Sequence, residues 1–488
     1  MTVAGIDMSY TRRDFIKGSA WMGMTAVAAG CMGPRLGFGT GGAMQGFALP
    51  PMKRVRVAVI GLGLRGTPAV HRIAMLPGVE IVAICDKKDV RIEENLAWFR
   101  KRRQKLPRTF NGVEGWKAVC DRDDVDVVYI VTPWDLHAPI ALRAMRNGKV
   151  ALVEVPGART VDECWELVET SEKTRIPCMM LENACYGEIE LLGYNLARFG
   201  LLGEIVHSEC AYIHDLRMIC CSKEFGESEW RHNEQLRHKG NLYPTHGLGP
   251  VCMCMNINRG DRFDYLVSLE SNQVNFERYI REVMPADDPR RKDRIEMGDM
   301  NTTLIKTALG KSIMVQHDVS SPRPYSRLNL MSGTKGIFWG MPWRPHGISL
   351  STLKIGFEER CGEGIHNFLS DEKTNEVREQ HKHSLWKKVG EIAKKVGGHG
   401  GQDFIMDLRW AYCLQNGIPL DIDVYDLAAM SCLCELTEKS VRNKSRPYDI
   451  PDFTRGGWKT AKPLGSLDID VSSLDFSNVG KDESAITV

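Results

Sequence analysis

Among its 15 cysteines the chain has no Cys-x-x-Cys pair, so the spacing of a zinc ribbon or a dithiol redox motif is missing. Cys252/Cys254 and Cys432/Cys434 are Cys-x-Cys pairs inside apolar runs, which suits buried reduced thiols, and no metal is expected. The odd count leaves at least one thiol outside any disulfide framework. Charge of one sign is missing as well. The 64 Lys and Arg face 62 Asp and Glu, for a net +2, which gives no bulk attraction to nucleic acid or anionic lipid. No internal repeat is visible. The uncharged stretch Ser19 to Gly30 is too short, and too rich in Gly and Ala, to span a bilayer permanently. What remains is an ordinary globular composition over 488 residues, enough for two cored domains with additions.

The N-terminus reads as an address. Thr11-Arg12-Arg13-Asp14-Phe15-Ile16-Lys17 followed by the uncharged run resembles a twin-arginine export signal. Residues 1–31 are assigned to it, and the twin-arginine export machinery is an expected partner. Ala28-Ala29-Gly30 before Cys31 resembles a lipoprotein cleavage site, which makes Cys31 a candidate lipid anchor. Residues 32–52, rich in Gly and Pro, are expected to form a flexible linker. The expected location lies beyond a bacterial inner membrane, in the periplasm or cell envelope. That route carries folded proteins, so it suits a protein that must collect a cytoplasmic cofactor before export.

Val55 to Ile60 is a β-branched run. It is followed by Gly61-Leu62-Gly63-Leu64-Arg65-Gly66, a helix-like stretch to Met75, a second strand from Glu80 to Cys85, and Asp86. This is the strand–GxGxxG–helix–strand–acid order of a dinucleotide fingerprint. Gly61 makes the tight turn, Gly63 admits the pyrophosphate, and Gly66 packs the helix on the strand. Asp86, twenty residues after Gly66, is placed for the ribose hydroxyls, favouring NAD over NADP, although Lys87 and Lys88 soften that preference. Strands Val125–Val131, Val150–Val153 and Cys178–Leu181 alternate with helices Pro139–Asn147 and Val161–Thr174. The fold class is therefore α/β, with a doubly wound parallel sheet over residues 53–185. Ligands bind at the carboxyl ends of such strands. The loops there are Thr132 to His137, Glu154-Val155-Pro156, and Glu182 to Tyr186.

From residue 186 to 488 the grammar changes. Strand-like runs at Glu204–Tyr212, Tyr265–Glu270, Thr302–Thr307 and Ser312–His317 suggest an open, mostly antiparallel sheet in an α+β substrate domain. Leu309-Gly310 is a turn, and Gly333 to Gly336 joins a hairpin between Leu328–Ser332 and Ile337–Trp339. Partner helices are expected over Asp403–Gln415 and Val424–Arg442. Tyr243 and His246 lie in the polar cluster Asn241 to Gly247, where acid/base work competes with an ordinary buried role. His399, within Gly397 to Asp403, reads as a loop residue ahead of a helix.

The stretches GLGLRG at 61–66, TPWDLH at 132–137, EVP at 154–156, LEN at 181–183, YPTHGLGP at 243–250 and GGHGGQDF at 397–404 carry a resemblance. From Val55 to about Tyr448 the chain resembles the glucose-fructose oxidoreductase and inositol dehydrogenase superfamily. Within it, the chain looks most like the family 109 glycoside hydrolases, NAD-dependent α-N-acetylgalactosaminidases. The resemblance implies that Leu64, Arg65, Asp86, Trp134, His137, Glu154, Val155 and Asn183 contact NAD. It implies that Tyr212, Arg231, Tyr243, Pro244, Thr245, His246 and Tyr325 line the sugar pocket, with Tyr243 and His246 catalytic. The dehydrogenases usually carry Glu-Lys-Pro where this chain has Val155, so their usual proton handler is missing.

The implied route is transient oxidation at sugar carbon 3, elimination of the aglycone, addition of water and reduction, with NAD regenerated each turnover. It differs from the usual carboxylate pair. The alternatives are an NAD-dependent sugar dehydrogenase, which would form net NADH, and a non-catalytic protein that holds NAD and binds sugar without product. The partner is a glycan or glycoside. Composition leaves assembly open, a homo-oligomer included.

Overall fold

Short aliphatic runs buried on both faces build the first sheet. The computed structural model describes residues 43–222, 228–341, 347–350, 368–476 and 479. The chain runs β1 (Val55–Ile60), α1 (Gly66–Ile73), β2 (Val79–Asp86), α2 (Asp89–Lys101), β3 (Arg108–Asn111), α3 (Gly115–Cys120), β4 (Val127–Ile130), α4 (His137–Arg146), β5 (Val150–Val153), α5 (Val161–Thr174) and β6 (Cys178–Met180). All pairs are parallel in the order β3-β2-β1-β4-β5-β6. Strand order reverses between β1 and β4, which opens a crevice at their carboxyl ends. Local chemistry sets the helix limits. Thr160 and Glu163 form a reciprocal capping box at the start of α5. The sequence reading omits β3, whose Arg-Thr-Phe-Asn is mostly exposed at the sheet edge and carries no apolar run.

A 3-10 turn at Asn183–Tyr186 leads into the second region. It contains α6 (Glu188–Arg198), β7 (Ile205–Ile213), α7 (Arg217–Cys221), α8 (Ser228–Arg237), α9 (Thr245–Met255), β8 (Phe263–Glu270), α10 (Asn275–Val283), β9 (Asn301–Thr307), β10 (Ser312–Asp318), β11 (Leu330–Gly333), β12 (Gly336–Trp339) and β13 (Ile348–Leu350). Then follow α11 (Asp371–His381), α12 (Ser384–Val396), α13 (Gln402–Asn416), α14 (Val424–Ser431), α15 (Leu433–Arg442) and β14 (Tyr448–Asp449). The sheet order is β13-β12-β11-β7-β10-β9-β8-β14. Period-2 burial marks β9, where Asn301, Thr303, Ile305 and Thr307 point inward. The sheet is mostly antiparallel, but β7 and β10 pair in parallel at its centre.

Helices of the second region also cover the first sheet. α13 packs on α1 and β1, and α14 packs on α5 and β6. The single helix expected over Val424–Arg442 is two, interrupted at Cys432. Its first half serves the parallel sheet, while α15 lies on β8.

The linker is corrected in part. Residues 43–52 are held to the body: Met44 N donates to Tyr425 OH at 3.2 Å, Arg175 Nη1 to Ala43 O at 2.7 Å, and Met52 N to Leu414 O at 2.9 Å. Residues 1–42, including Arg12, Arg13 and Cys31, lie outside the described residues. Among the described residues, no helix is long and apolar enough to cross a membrane. The described cysteines are free and buried, and no described cluster of His, Cys, Asp and Glu could hold a metal.

Candidate active site

The glycine loop after β1 is shaped by backbone contact. Gly61 sits at φ +94°, and a Cβ there would collide with the Val131 carbonyl at the end of β4. A Cβ on Gly66 would collide with the Gly61 carbonyl. With Gly63 between them, these glycines let the N-terminus of α1 face a phosphate at close range. Leu62 N donates to Asp86 Oδ2 at 2.7 Å, and Lys88 N donates to Oδ1 at 2.8 Å. Asp86 thus braces the loop from the end of β2. Leu64 is exposed at the loop tip.

The neighbouring loops complete this end. Arg65 Nε donates to Glu154 Oε1 at 3.0 Å, and Nη1 donates to Asp403 Oδ2 at 2.5 Å. Asn183 Nδ2 donates to Asp403 Oδ1 at 2.5 Å. Trp134 Nε1 donates to the Val155 carbonyl at 3.1 Å. The His137 ring nitrogens face the carbonyls of Pro156 (2.7 Å) and Thr132 (2.8 Å), so this residue ties two loops together. Burial pushes His137 down, against the pull of those carbonyls. Asn183 Oδ1 and Thr132 Oγ1 are buried without a hydrogen-bond partner. Buried polar atoms are normally satisfied, so these orphans fit a polar ligand. A glycine cradle, a carboxylate at the end of β2 and unpartnered polar atoms suit NAD.

The second end is built on α9. Gly247 brings this helix flush against β7, since a Cβ there would stand 2.6 Å from Ala211 N. Gly249 does the same towards Glu182, where a Cβ would meet Cγ at 2.6 Å. His246 is thereby lowered onto Glu182, with Nδ1 2.8 Å from Oε1 and 3.1 Å from Oε2. Burial alone would push the Glu182 carboxyl up. The His246 charge and the hydrogen bonds outweigh it and hold the carboxyl below its ordinary 4.5. Sequence reasoning missed Glu182. Its signal was a carboxylate at the carboxyl end of a fully buried strand.

The sugar-pocket candidates come together around this pair. Tyr243 lies 4.8 Å from His246, 4.6 Å from Tyr212 and 5.8 Å from Trp134, ring centre to ring centre. Tyr325 stands edge-on to Tyr212 at 6.1 Å, and its hydroxyl accepts from Arg327 Nη1 at 2.8 Å. The Arg231 guanidinium lies over Trp134 at 5.3 Å and Tyr243 at 5.9 Å. Pro244 caps α9, and Thr245 is its buried first residue. Burial pushes the Tyr243 hydroxyl well up, reinforced by Tyr212 and opposed by Arg231. A larger cavity, about 710 Å³, lies among Arg259, Arg409, Asp421 and Asp423. Two of its arginines are paired, Arg409 with Asp421 at 2.5 Å and Arg259 with Asp423 at 3.0 Å, and none of the candidate residues lines it.

Such a fold and crevice define an NAD-binding protein of the Rossmann type. The model of the oxidoreductase family NAD-binding Rossmann fold matches residues 55–181, and that of the glycosyl hydrolase 109 C-terminal domain matches residues 186–460. The chain belongs to glycosyl hydrolase family 109. A family 109 protein of Solibacter usitatus is 44% identical over 457 residues, covering 93% of this chain and 99% of its own. A Bacteroides fragilis protein named alpha-N-acetylgalactosaminidase is 45% identical over 417 residues, covering 85% of this chain and 95% of its own. Levoglucosan dehydrogenase in complex with NADH and levoglucosan shares the fold, with a TM-score of 0.60 at 17% identity, over 82% of this chain and 100% of its own.

Proposed function

We propose that this NAD-dependent glycoside hydrolase removes terminal α-linked N-acetylgalactosamine. The observation that carries the reading is the division of labour between the two ends of the crevice. The cofactor end holds a buried Val155 where a dehydrogenase-type lysine would stand, while Tyr243, His246 and Glu182 gather at the other end. NAD, when bound, supplies reversible hydride acceptance from a sugar carbon. The remaining steps are proton transfers by the chain's own groups. Glu182 fixes Nδ1 of His246, which leaves Nε2 to take the proton from the carbon beside the oxidised one. Tyr243, kept protonated by burial, donates or relays. Arg231 and Tyr325 hold the sugar against Tyr212. The Bacteroides fragilis relative's name supports the choice of sugar.

The test uses purified protein, no added nicotinamide, a chromogenic α-N-acetylgalactosaminide and deuterated water. The expected result is chromophore release, deuterium at sugar carbon 2 and no net NADH. NADH accumulating with free sugar would establish the dehydrogenase instead, and sugar binding without product would establish a binding protein.

We further propose that residues 1–31 direct the folded, NAD-loaded protein through the twin-arginine route, with Cys31 as a lipid anchor. Support comes from Arg12-Arg13 and the uncharged run after it. Replacing both arginines with lysine should leave the protein in the cytoplasm, and Cys31→Ala should abolish labelled palmitate incorporation. Unchanged fractionation and labelling would overturn the proposal.

A further inference from the structure

Asp403 reaches the cofactor end from far along the chain. It stands in the first turn of α13, after the glycine-rich turn at 397–401. Gly398 in that turn has φ +83°, and a Cβ there would stand 2.7 Å from the Asp403 Cβ. The turn therefore folds tightly over the carboxylate. Asp403 is fully buried, and each oxygen holds a different loop: Oδ2 takes Arg65 from the glycine loop, and Oδ1 takes Asn183 from the loop after β6. Arg72 Nη1 lies 3.7 Å away, and His399 Nδ1 3.0 Å. Arg65 also bridges to Glu154, so its guanidinium is fixed by carboxylates on separate segments.

Paired, buried, charge-assisted bonds of this kind hold geometry tightly. Arg65 belongs to the glycine loop after β1 and Asn183 to the loop after β6, and both bond the one carboxylate. Neither can swing outward without breaking a bond to the same buried carboxylate. An exchangeable cofactor would need one of these loops to open. Pre-organised walls slow dissociation more than they speed association.

We propose that Asp403 is a positioning residue that locks the NAD site, tying the glycine loop at Arg65 to the loop after β6 at Asn183 so that the cofactor stays bound between turnovers. This inference rests on NAD binding and is independent of which glycoside is cleaved. Its readout is NAD itself. Full-length protein is purified, and bound NAD and its release rate are measured by dilution into an NAD-scavenging mixture, alongside thermal unfolding. Asp403→Asn is expected to release NAD about 10- to 100-fold faster than wild type. Asp407→Asn is the control. Asp407 belongs to the same buried network, bonded to Arg72, Tyr129 and Trp410, and should leave the release rate near wild type. Should Asp403→Asn fail to fold, Arg65→Lys keeps the charge but cannot span Glu154 and Asp403, and the same acceleration is expected. Wild-type retention in the variant that folds would overturn the proposal. So would an equal acceleration in Asp407→Asn, which would mark the effect as loss of general packing.

Discussion

His246→Ala lowers turnover by about 10²- to 10⁴-fold while the purified protein keeps its NAD. The imidazole stands between a buried carboxylate and two pocket tyrosines, where a proton can be handed on. Nδ1 is committed to Glu182, and the ring is nearly buried against Tyr212 and Tyr243. Removing it leaves the cofactor end untouched, so activity and NAD content separate. Tyr243→Phe keeps the packing against Trp134 and Tyr212 but loses the hydroxyl, and should also fall well below wild type. Glu182→Gln should cost about 10- to 100-fold, because an amide holds the imidazole without fixing which nitrogen carries the proton.

The pH dependence has a definite sign. A carboxyl lowered in the folded state contributes its stabilisation above the ordinary 4.5 and loses it only as pH falls through the lowered value. The stability difference between wild type and Glu182→Gln, read by thermal unfolding, should therefore stay flat from neutrality down to pH 4.5, then shrink. A His246→Ala enzyme within a few-fold of wild type would remove the proton-handling role altogether.

The two ends of the site were unequally legible. β4, β5 and β6 are buried on both faces and read as unbroken apolar runs, and Arg56 alone interrupts β1. Fixed spacing then places the glycine loop and Asp86 without any long-range information. β3 was missed because an edge strand of four mostly exposed residues carries no such run. The parallel pairing of β7 with β10 was invisible for a different reason. Burial along each strand depends on which face is covered, not on the direction of its neighbour. Likewise no Gly or Pro marks Cys432 as the end of α14, since the break comes from packing on two different surfaces. Tyr243 and His246 stood out by chemistry and mutual spacing. Glu182 did not, because its partner lies 64 positions away. Asp403 was quoted within a motif but had no role until Arg65, 338 positions distant, was seen against it.

Gly66→Ala should give a protein that copurifies with less than about one tenth of stoichiometric NAD and unfolds about 1–3 kcal/mol more easily. The added carbon lands on the Gly61 carbonyl oxygen, with the Gly61 carbonyl carbon 2.7 Å away and Val131 Cβ at 3.7 Å. The nearest atoms are backbone and cannot rotate aside, so either α1 or the glycine loop must move. Movement of α1 withdraws its first N–H groups from the phosphate. Movement of the loop strains the Leu62–Asp86 bond, which steadies it from β2. Either way the damage falls on the cradle before it reaches the core. Gly310→Ala supplies the contrast. It lies in the turn between β9 and β10 at φ +88°, with nothing near the added carbon. It should cost only about 1 kcal/mol of backbone strain and leave NAD content whole. NAD extracted per protein, read beside thermal unfolding for both variants, checks this. Full NAD in Gly66→Ala would mean that the cofactor does not depend on the close approach of α1 to β1.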